Sequence, residues 1–265
     1  MGLLDGKVAV VTGAGRGIGA AAAKMFGEQG ASVVVSDLDK GPAGEVVDSI
    51  KKAGGKAVAV AGNVMEQSTN EALIKAALDN FKGLDILVPC AGFCNDKVIQ
   101  KMELEDFRLM ERIHMEAPWM LCKLAYPHLK ELSQDGKYRR VIFVSSEAGT
   151  RGNSGQSNYG AAKSGVVGLM RVMAKEWLRI KVNCNAVAYG FVETRLTQST
   201  KGDQILGANI GIPEQMRSMG EQFMVMRGGR ILTPEEAAGA IFSLAIPQAD
   251  GVNGQVLEVD SGISL

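Results

Sequence analysis

At 265 residues the chain is long enough for one large buried core. Hydrophobic residues make up 46% and charged residues 22%; Lys+Arg and Asp+Glu both number 29, so no basic excess points to nucleic acid or an anionic membrane. No apolar run reaches the roughly 18 residues that a membrane helix needs. Met1–Lys7 leads into strand-like residues with no secretory pattern. A cytoplasmic protein is expected, with an organelle lumen left open; Ile263-Ser264-Leu265 is faintly like a peroxisomal tripeptide.

Cys90, Cys94, Cys122 and Cys184 fit no zinc spacing, and a chain of this size needs no disulfide framework. Reduced, buried thiols and no metal are expected.

In chain order, strand-like runs fall at Lys7–Thr12, Ser32–Ser36, Lys56–Ala61, Leu84–Val88, Arg140–Ser145, Lys181–Ala186 and Gln255–Val259. Helical stretches such as Gly17–Gln29, Ala43–Lys52 and Thr69–Phe81 lie between the early ones. The strand runs are almost continuously apolar, as in a parallel sheet covered on both faces. The alternation predicts an α/β, doubly wound, Rossmann-type parallel sheet of about seven strands, with helices on both faces. No linker interrupts residues 1–265, so a single domain is expected. Gly190 to about Leu232 breaks the rhythm, with Gly202, Gly207, Gly211, Pro213 and Gly220 followed by a Met-rich piece. Such an insertion is either a substrate lid or a surface packed on a neighbouring subunit.

Thr12-Gly13-Ala14-Gly15-Arg16-Gly17-Ile18-Gly19 follows the first strand and opens the first helix, where glycine lets backbone approach a pyrophosphate. Asp37 and Leu38 follow the second strand; an acid there accepts from both adenosine ribose hydroxyls and repels a 2′-phosphate, favouring NAD. Arg16 either pairs with that phosphate, which keeps NADP possible, or is a solvated surface residue.

Tyr159 and Lys163 stand at i, i+4 on a helical stretch and therefore share a face. A tyrosine acid–base near neutrality needs a downward shift of about three units, or ~4 kcal/mol. A lysine cation ~5 Å away at an effective dielectric of about 20 supplies ~3 kcal/mol, and an oxidised nicotinamide adds to it.

With the glycine loop and this pair, the chain resembles the short-chain dehydrogenase/reductase family over essentially its whole length. The resemblance places the family's serine on Ser146, thirteen residues before Tyr159, to hold the substrate carbonyl oxygen. Tyr159 then protonates that oxygen, Lys163 also binds the nicotinamide ribose, and Ser145 is structural. Hydride passes between the nicotinamide and the carbonyl carbon. Four positions depart from the family pattern. Pro89-Cys90-Ala91-Gly92 replaces Asn-Asn-Ala-Gly, leaving Ala91 and Gly92 to line the cofactor. His114 stands at the fourth catalytic position, normally asparagine; it either joins the water relay from the lysine as a titrating group or is satisfied inside a helix. Asn63-Val64 replaces Asp-Val beside the adenine, and Tyr189-Gly190 replaces Pro-Gly ahead of Val192 and Thr194, which would meet the carboxamide and pyrophosphate.

Within the family the wording is most like 3-oxoacyl thioester reductases: Gln156–Tyr159, Ala174–Trp177 and Phe191–Leu196 carry the likeness. It implies an acyl substrate on acyl carrier protein or coenzyme A; Met216, Met219, Phe223, Met224 and Met226 offer adaptable packing for an apolar acyl chain, and Arg171, Lys175 and Arg179 either meet an acidic carrier protein or form a solvated helix face. A general secondary-alcohol dehydrogenase and a non-catalytic cofactor-binding subunit are the alternatives. A homotetramer is also implied, through Met102–Leu132, Ser154–Leu178 and the last strand.

Overall fold

The computed structural model describes residues 2–199, 202, 204–212, 214–226 and 228–262, without the side chains of Met216 and Phe223. The expected likeness at Ile263-Ser264-Leu265 lies outside the described residues, as does Pro213. In order, the elements are β1 (Val8–Thr12), α1 (Gly17–Glu28), β2 (Ser32–Asp37), α2 (Lys40–Lys52), β3 (Lys56–Ala61), α3 (Gln67–Phe81) and β4 (Ile86–Pro89). Then follow α4 (Leu104–Glu111), a π-helical turn (Arg112–Glu116), α5 (Ala117–Leu132), β5 (Arg139–Ser146), α6 (Glu147–Thr150) and α7 (Ser157–Glu176). The last are β6 (Val182–Tyr189), β7 (Gln204–Ile205), β8 (Ala208–Asn209), α8 (Glu214–Met226), α9 (Pro234–Ala245) and β9 (Val256–Val259).

The described residues form a seven-stranded parallel sheet in the order β3-β2-β1-β4-β5-β6-β9, and β7 and β8 form a separate antiparallel pair. Every residue of β1, β4 and β6 is buried, so β1 and β4 read as almost unbroken apolar sequence, while β6 also buries Asn183 and Asn185. The edge strands β3 and β9 are half exposed, so continuous burial does not extend to them. Helices α1, α2 and α9 cover one face around Phe26, Ile50 and Ile241. Helices α3, α5 and α7 cover the other around Leu73, Leu121, Leu129 and Met170. Burying each such side chain contributes about 1.5–3 kcal/mol.

Strand order reverses between β1 and β4, and a crevice at the carboxyl ends of these strands is where a doubly wound sheet takes its ligand. The two strand ends are stitched there: Thr12 Oγ1 accepts from the backbone N–H of Cys90 and of Ala91, both at 3.1 Å. The 190–232 segment is not irregular throughout, since it contains β7, β8 and α8.

Candidate active site

Gly13 has φ +61°, and a Cβ there would sit 2.6 Å from Ala91 Cα, so only glycine fits between β1 and β4. Gly17, Ile18 and Gly19 form the first turn of α1, which has no side-chain cap and no acid. Its orphan N–H groups and positive dipole end suit a pyrophosphate. Thr194 Cγ2 lies 3.3 Å from where a side chain on Gly17 would begin, and Val192 is buried just ahead of it. The predicted cofactor residues of β1, α1, β4 and the start of the 190–232 segment are therefore gathered at one place.

Asp37 Oδ2 accepts from Gly15 N at 2.9 Å and Oδ1 from Asp39 N at 3.2 Å, which fixes the carboxylate against the glycine loop. Arg16 Nη1 lies 3.1 Å from Asp39 and 3.8 Å from Asp37, so the guanidinium is held by two acids. Leu38 is exposed beside them. Asn63 Oδ1 accepts from Met65 N at 3.0 Å, an Asx-type turn that uses one lone pair of the oxygen, and Val64 is buried behind it. These residues fit a nicotinamide dinucleotide, with an acid rather than a free cation at the ribose position.

One turn of α7 brings the predicted chemical pair together: Lys163 Nζ lies 5.5 Å from the Tyr159 ring centroid. Lys163 is buried and donates to the Val144 carbonyl at 2.7 Å. Ser146 ends β5 and starts α6, where its Oγ accepts from Ala148 N at 3.2 Å and lies 3.4 Å from the Tyr189 carbonyl. The Tyr159 hydroxyl lies where Ser146 and the Cys94 thiol both act on its proton. Ser145, one residue earlier, donates to the Lys163 carbonyl at 2.9 Å, as expected of a structural serine.

The electrostatics differ from the sequence expectation. Burial, reinforced by Cys94 and Asp96, pushes the Tyr159 phenol well above the usual tyrosine range, against the hydrogen bond from Ser146. Burial also pulls Lys163 down to about 8. The protein's own groups thus keep the phenol protonated, and the lysine's charge is spent on Val144 as well as on Tyr159. A second correction concerns His114. Burial, with the Lys163 charge beside it, holds the imidazole well below its ordinary pKa, so it is neutral and brings no titrating group. Its segment is a π-helical turn, not a regular α-helix.

Two groups at the centre escaped the sequence reading. Cys90 and Cys94, expected as buried thiols, are only partly buried, lie close enough to Lys163 to feel its charge, and Cys94 also acts on the Tyr159 phenol. Burial raises them to about 11 and about 12, so both are thiols and not nucleophilic thiolates. Only their position after β4 pointed to the site. Asn158 is fully buried, with Nδ2 donating to the Asn95 carbonyl at 2.9 Å and Oδ1 accepting from Tyr159 N at 2.7 Å; it sets the start of α7. All four cysteines are free, and no group of three or more His, Cys, Asp or Glu side chains is gathered for a metal among the described residues.

The centre is covered by apolar side chains. Ala208 and Ile210 are buried with Phe93, Met110 and Ile113, and Tyr159, Leu196 and Ile205 pack against them. Met224 of α8 is buried, whereas Met219 and Met226 are exposed.

Known proteins resemble this chain in sequence and fold. The family pattern described as short chain dehydrogenase matches residues 7–205. A 3-oxoacyl-[acyl-carrier-protein] reductase of Vibrio cholerae is 35% identical over 260 residues, covering 98% of each chain. One from Synechocystis is 37% identical over 265 residues, covering 99% of each. Among solved structures, the 3-ketoacyl-(acyl-carrier-protein) reductase of Brucella melitensis in complex with NADH superposes with a TM-score of 0.86 at 31% identity, covering 99% of this chain and 100% of that one. The chain belongs to the short-chain dehydrogenase/reductase family.

Proposed function

We propose that the protein is an NAD(P)-dependent oxidoreductase that reduces 3-oxoacyl thioesters to 3-hydroxyacyl thioesters, or runs the reverse. The convergence of Ser146, Tyr159 and Lys163 beside the glycine loop and under an apolar cover carries the reading. Gly13, Gly17, Ile18, Gly19, Ala91, Gly92, Val192 and Thr194 hold the dinucleotide, Asn63 and Val64 flank its adenine, and Asp37 takes the ribose hydroxyls. The reduced nicotinamide supplies the hydride. Ser146 Oγ holds the substrate's carbonyl oxygen, and the Tyr159 hydroxyl delivers a proton to that oxygen as negative charge develops there. Lys163 orients the nucleotide ribose and stabilises the resulting phenolate. A phenol kept protonated by burial suits the acid role of the reductive direction.

The 190–232 segment serves as a lid over the acyl chain, supported by Ile205, Ala208 and Ile210 next to Tyr159. The acyl group is carried on acyl carrier protein or coenzyme A, and exposed Arg171, Lys175 and Arg179 suit an acidic carrier. Exposed Trp119, Val172, Leu178 and Leu257 on α5, α7, the turn after it and β9 support a homotetramer. No described helix is long and apolar enough to cross a membrane.

The test is steady-state turnover of acetoacetyl-CoA with NADH and with NADPH. Turnover is expected with both, and NADH is favoured because Asp37 repels a 2′-phosphate. Asp37→Ser is expected to narrow that preference by about tenfold, roughly 1.4 kcal/mol. No turnover with either cofactor overturns the thioester assignment.

A further inference from the structure

The π-helical turn between α4 and α5 has a local consequence. It carries His114 inward until only 3% of the residue remains exposed. There Nε2 lies 2.7 Å from the Phe93 carbonyl oxygen. A carbonyl can only accept, so Nε2 carries a proton, and in the neutral imidazole that burial favours Nδ1 carries none. Nδ1 itself is buried and receives no hydrogen bond from the described residues. The imidazole lies against Gly92, where any Cβ would fall 2.1 Å from Cε1 and 2.6 Å from Nδ1, and it stands edge-on to Tyr159, with centroids 5.0 Å apart at 88°. The residue after Phe93 is Cys94, whose thiol is near enough to the Tyr159 hydroxyl for each to act on the other's proton.

His114 therefore reaches the phenol twice. One arm is the edge-on ring contact, a geometry that aromatic pairs favour. The other runs through the Phe93 carbonyl to the backbone that aims Cys94. We propose that His114 is a positioning residue that clamps Tyr159, with its imidazole fixing the ring from the edge and its Nε2–H fixing the Phe93–Cys94 peptide whose thiol meets the hydroxyl. Gly92 is required because it alone leaves room for the clamp. A neutral ring is also required, since a second proton would place an N–H on Nδ1 with no acceptor. The clamp takes from the assigned function only that Tyr159 is the proton donor.

Two substitutions separate the arms. His114→Phe keeps a ring and removes the donor; His114→Gln keeps a donor and removes the ring. Each is expected to lower kcat for acetoacetyl-CoA by roughly tenfold while KM for NADH moves less than about twofold, because misplacing a reacting group by ~1 Å costs up to about 100-fold. In a double-mutant cycle, His114→Phe is expected to cost at least about threefold less in a Cys94→Ala background than in the native one. Strict additivity overturns the Cys94 arm, and a kcat unchanged in both variants overturns the clamp. The chain has only two histidines, so nitrogen NMR of the imidazoles reads His114 without any substrate. One ring is expected to hold the proton on Nε2 alone from pH 5.5 to 8.5. Two rings with protonated Nδ1 in that range refute the proposal. If the spectrum is as expected while the native protein turns over no thioester, the substrate assignment fails and the clamp stands.

Discussion

The nucleotide loop and the chemical centre lie close together and are built in opposite ways. At Thr12–Gly19 the work is done by backbone: Gly13 at positive φ against Ala91, uncapped N–H groups at the start of α1, and a carboxylate held by Gly15 N. At Ser146, Tyr159 and Lys163 it is done by side chains drawn from β5, α7, the loop after β4 and the π-helical turn. A backbone site is specified by which residues are missing a side chain, and it tolerates little variation. A side-chain site is specified by proximity across the fold, and it can exchange asparagine for His114 or Cys90 while its three principal groups stay.

The largest effect should come from the centre. Tyr159→Phe removes the proton donor and leaves the ring that His114 contacts. The expected loss in kcat is about 10²- to 10⁴-fold, the usual contribution of a positioned acid–base group. NADH binding, followed by nucleotide fluorescence, should change less than about threefold. Retention of more than a tenth of kcat would remove Tyr159 from its role and leave the loop as the only well-defined site.

The loop should respond in the reverse pattern. Gly13→Ala forces a non-glycine residue to φ +61° and sets its Cβ 2.6 Å from Ala91 Cα. The strain is of order 1–3 kcal/mol, which for a chain of this size lowers Tm by roughly 3–10 °C. KM for NADH should rise by more than kcat falls. Unchanged melting measured by scanning calorimetry would show that the loop can yield, and the contrast between the regions would shrink.

The same contrast explains what the sequence disclosed. Unbroken apolar runs required a sheet buried on both faces, and all seven expected strands are present; Lys56–Ala61 has the expected bounds and the ends of the others are displaced. Lys181–Ala186 is found as Val182–Tyr189, because pairing with β5 continues to Ser146 opposite Tyr189. Leu84–Val88 is found as Ile86–Pro89. The glycine loop and the Tyr159–Lys163 spacing were readable because each is local in the chain. Cys94 was not, since a thiol after a strand looks like any small buried residue until folding sets it against Tyr159. The π-helical turn was hidden as well, for Arg-Ile-His-Met-Glu carries no composition that distinguishes it from α-helix. Nor could spacing alone give the sign of the Tyr159 shift, because the desolvation that raises it comes from residues distant in sequence.

The smallest expected effect concerns what the side-chain site costs the fold. Glu147, next to Ser146, is raised from 4.5 to about 7 by burial first, then by the hydrogen bond and charge of Asp260. In the folded protein it holds a proton that the unfolded chain releases near pH 4.5. Its contribution to stability is therefore full below about pH 4.5, falls as pH rises through that window, and is lost above about 7. Solvent screening at this partly exposed group reduces the size of the effect. Glu147→Gln cannot ionise, so its Tm relative to the native protein should increase by about 1–3 °C between pH 5 and pH 8, of the order expected for a fraction of a kcal/mol. Differential scanning fluorimetry across that range measures it, and a Tm difference independent of pH would mean that Glu147 ionises alike in both states. A positive result would place a stability cost beside Ser146, where side chains are crowded around the chemistry.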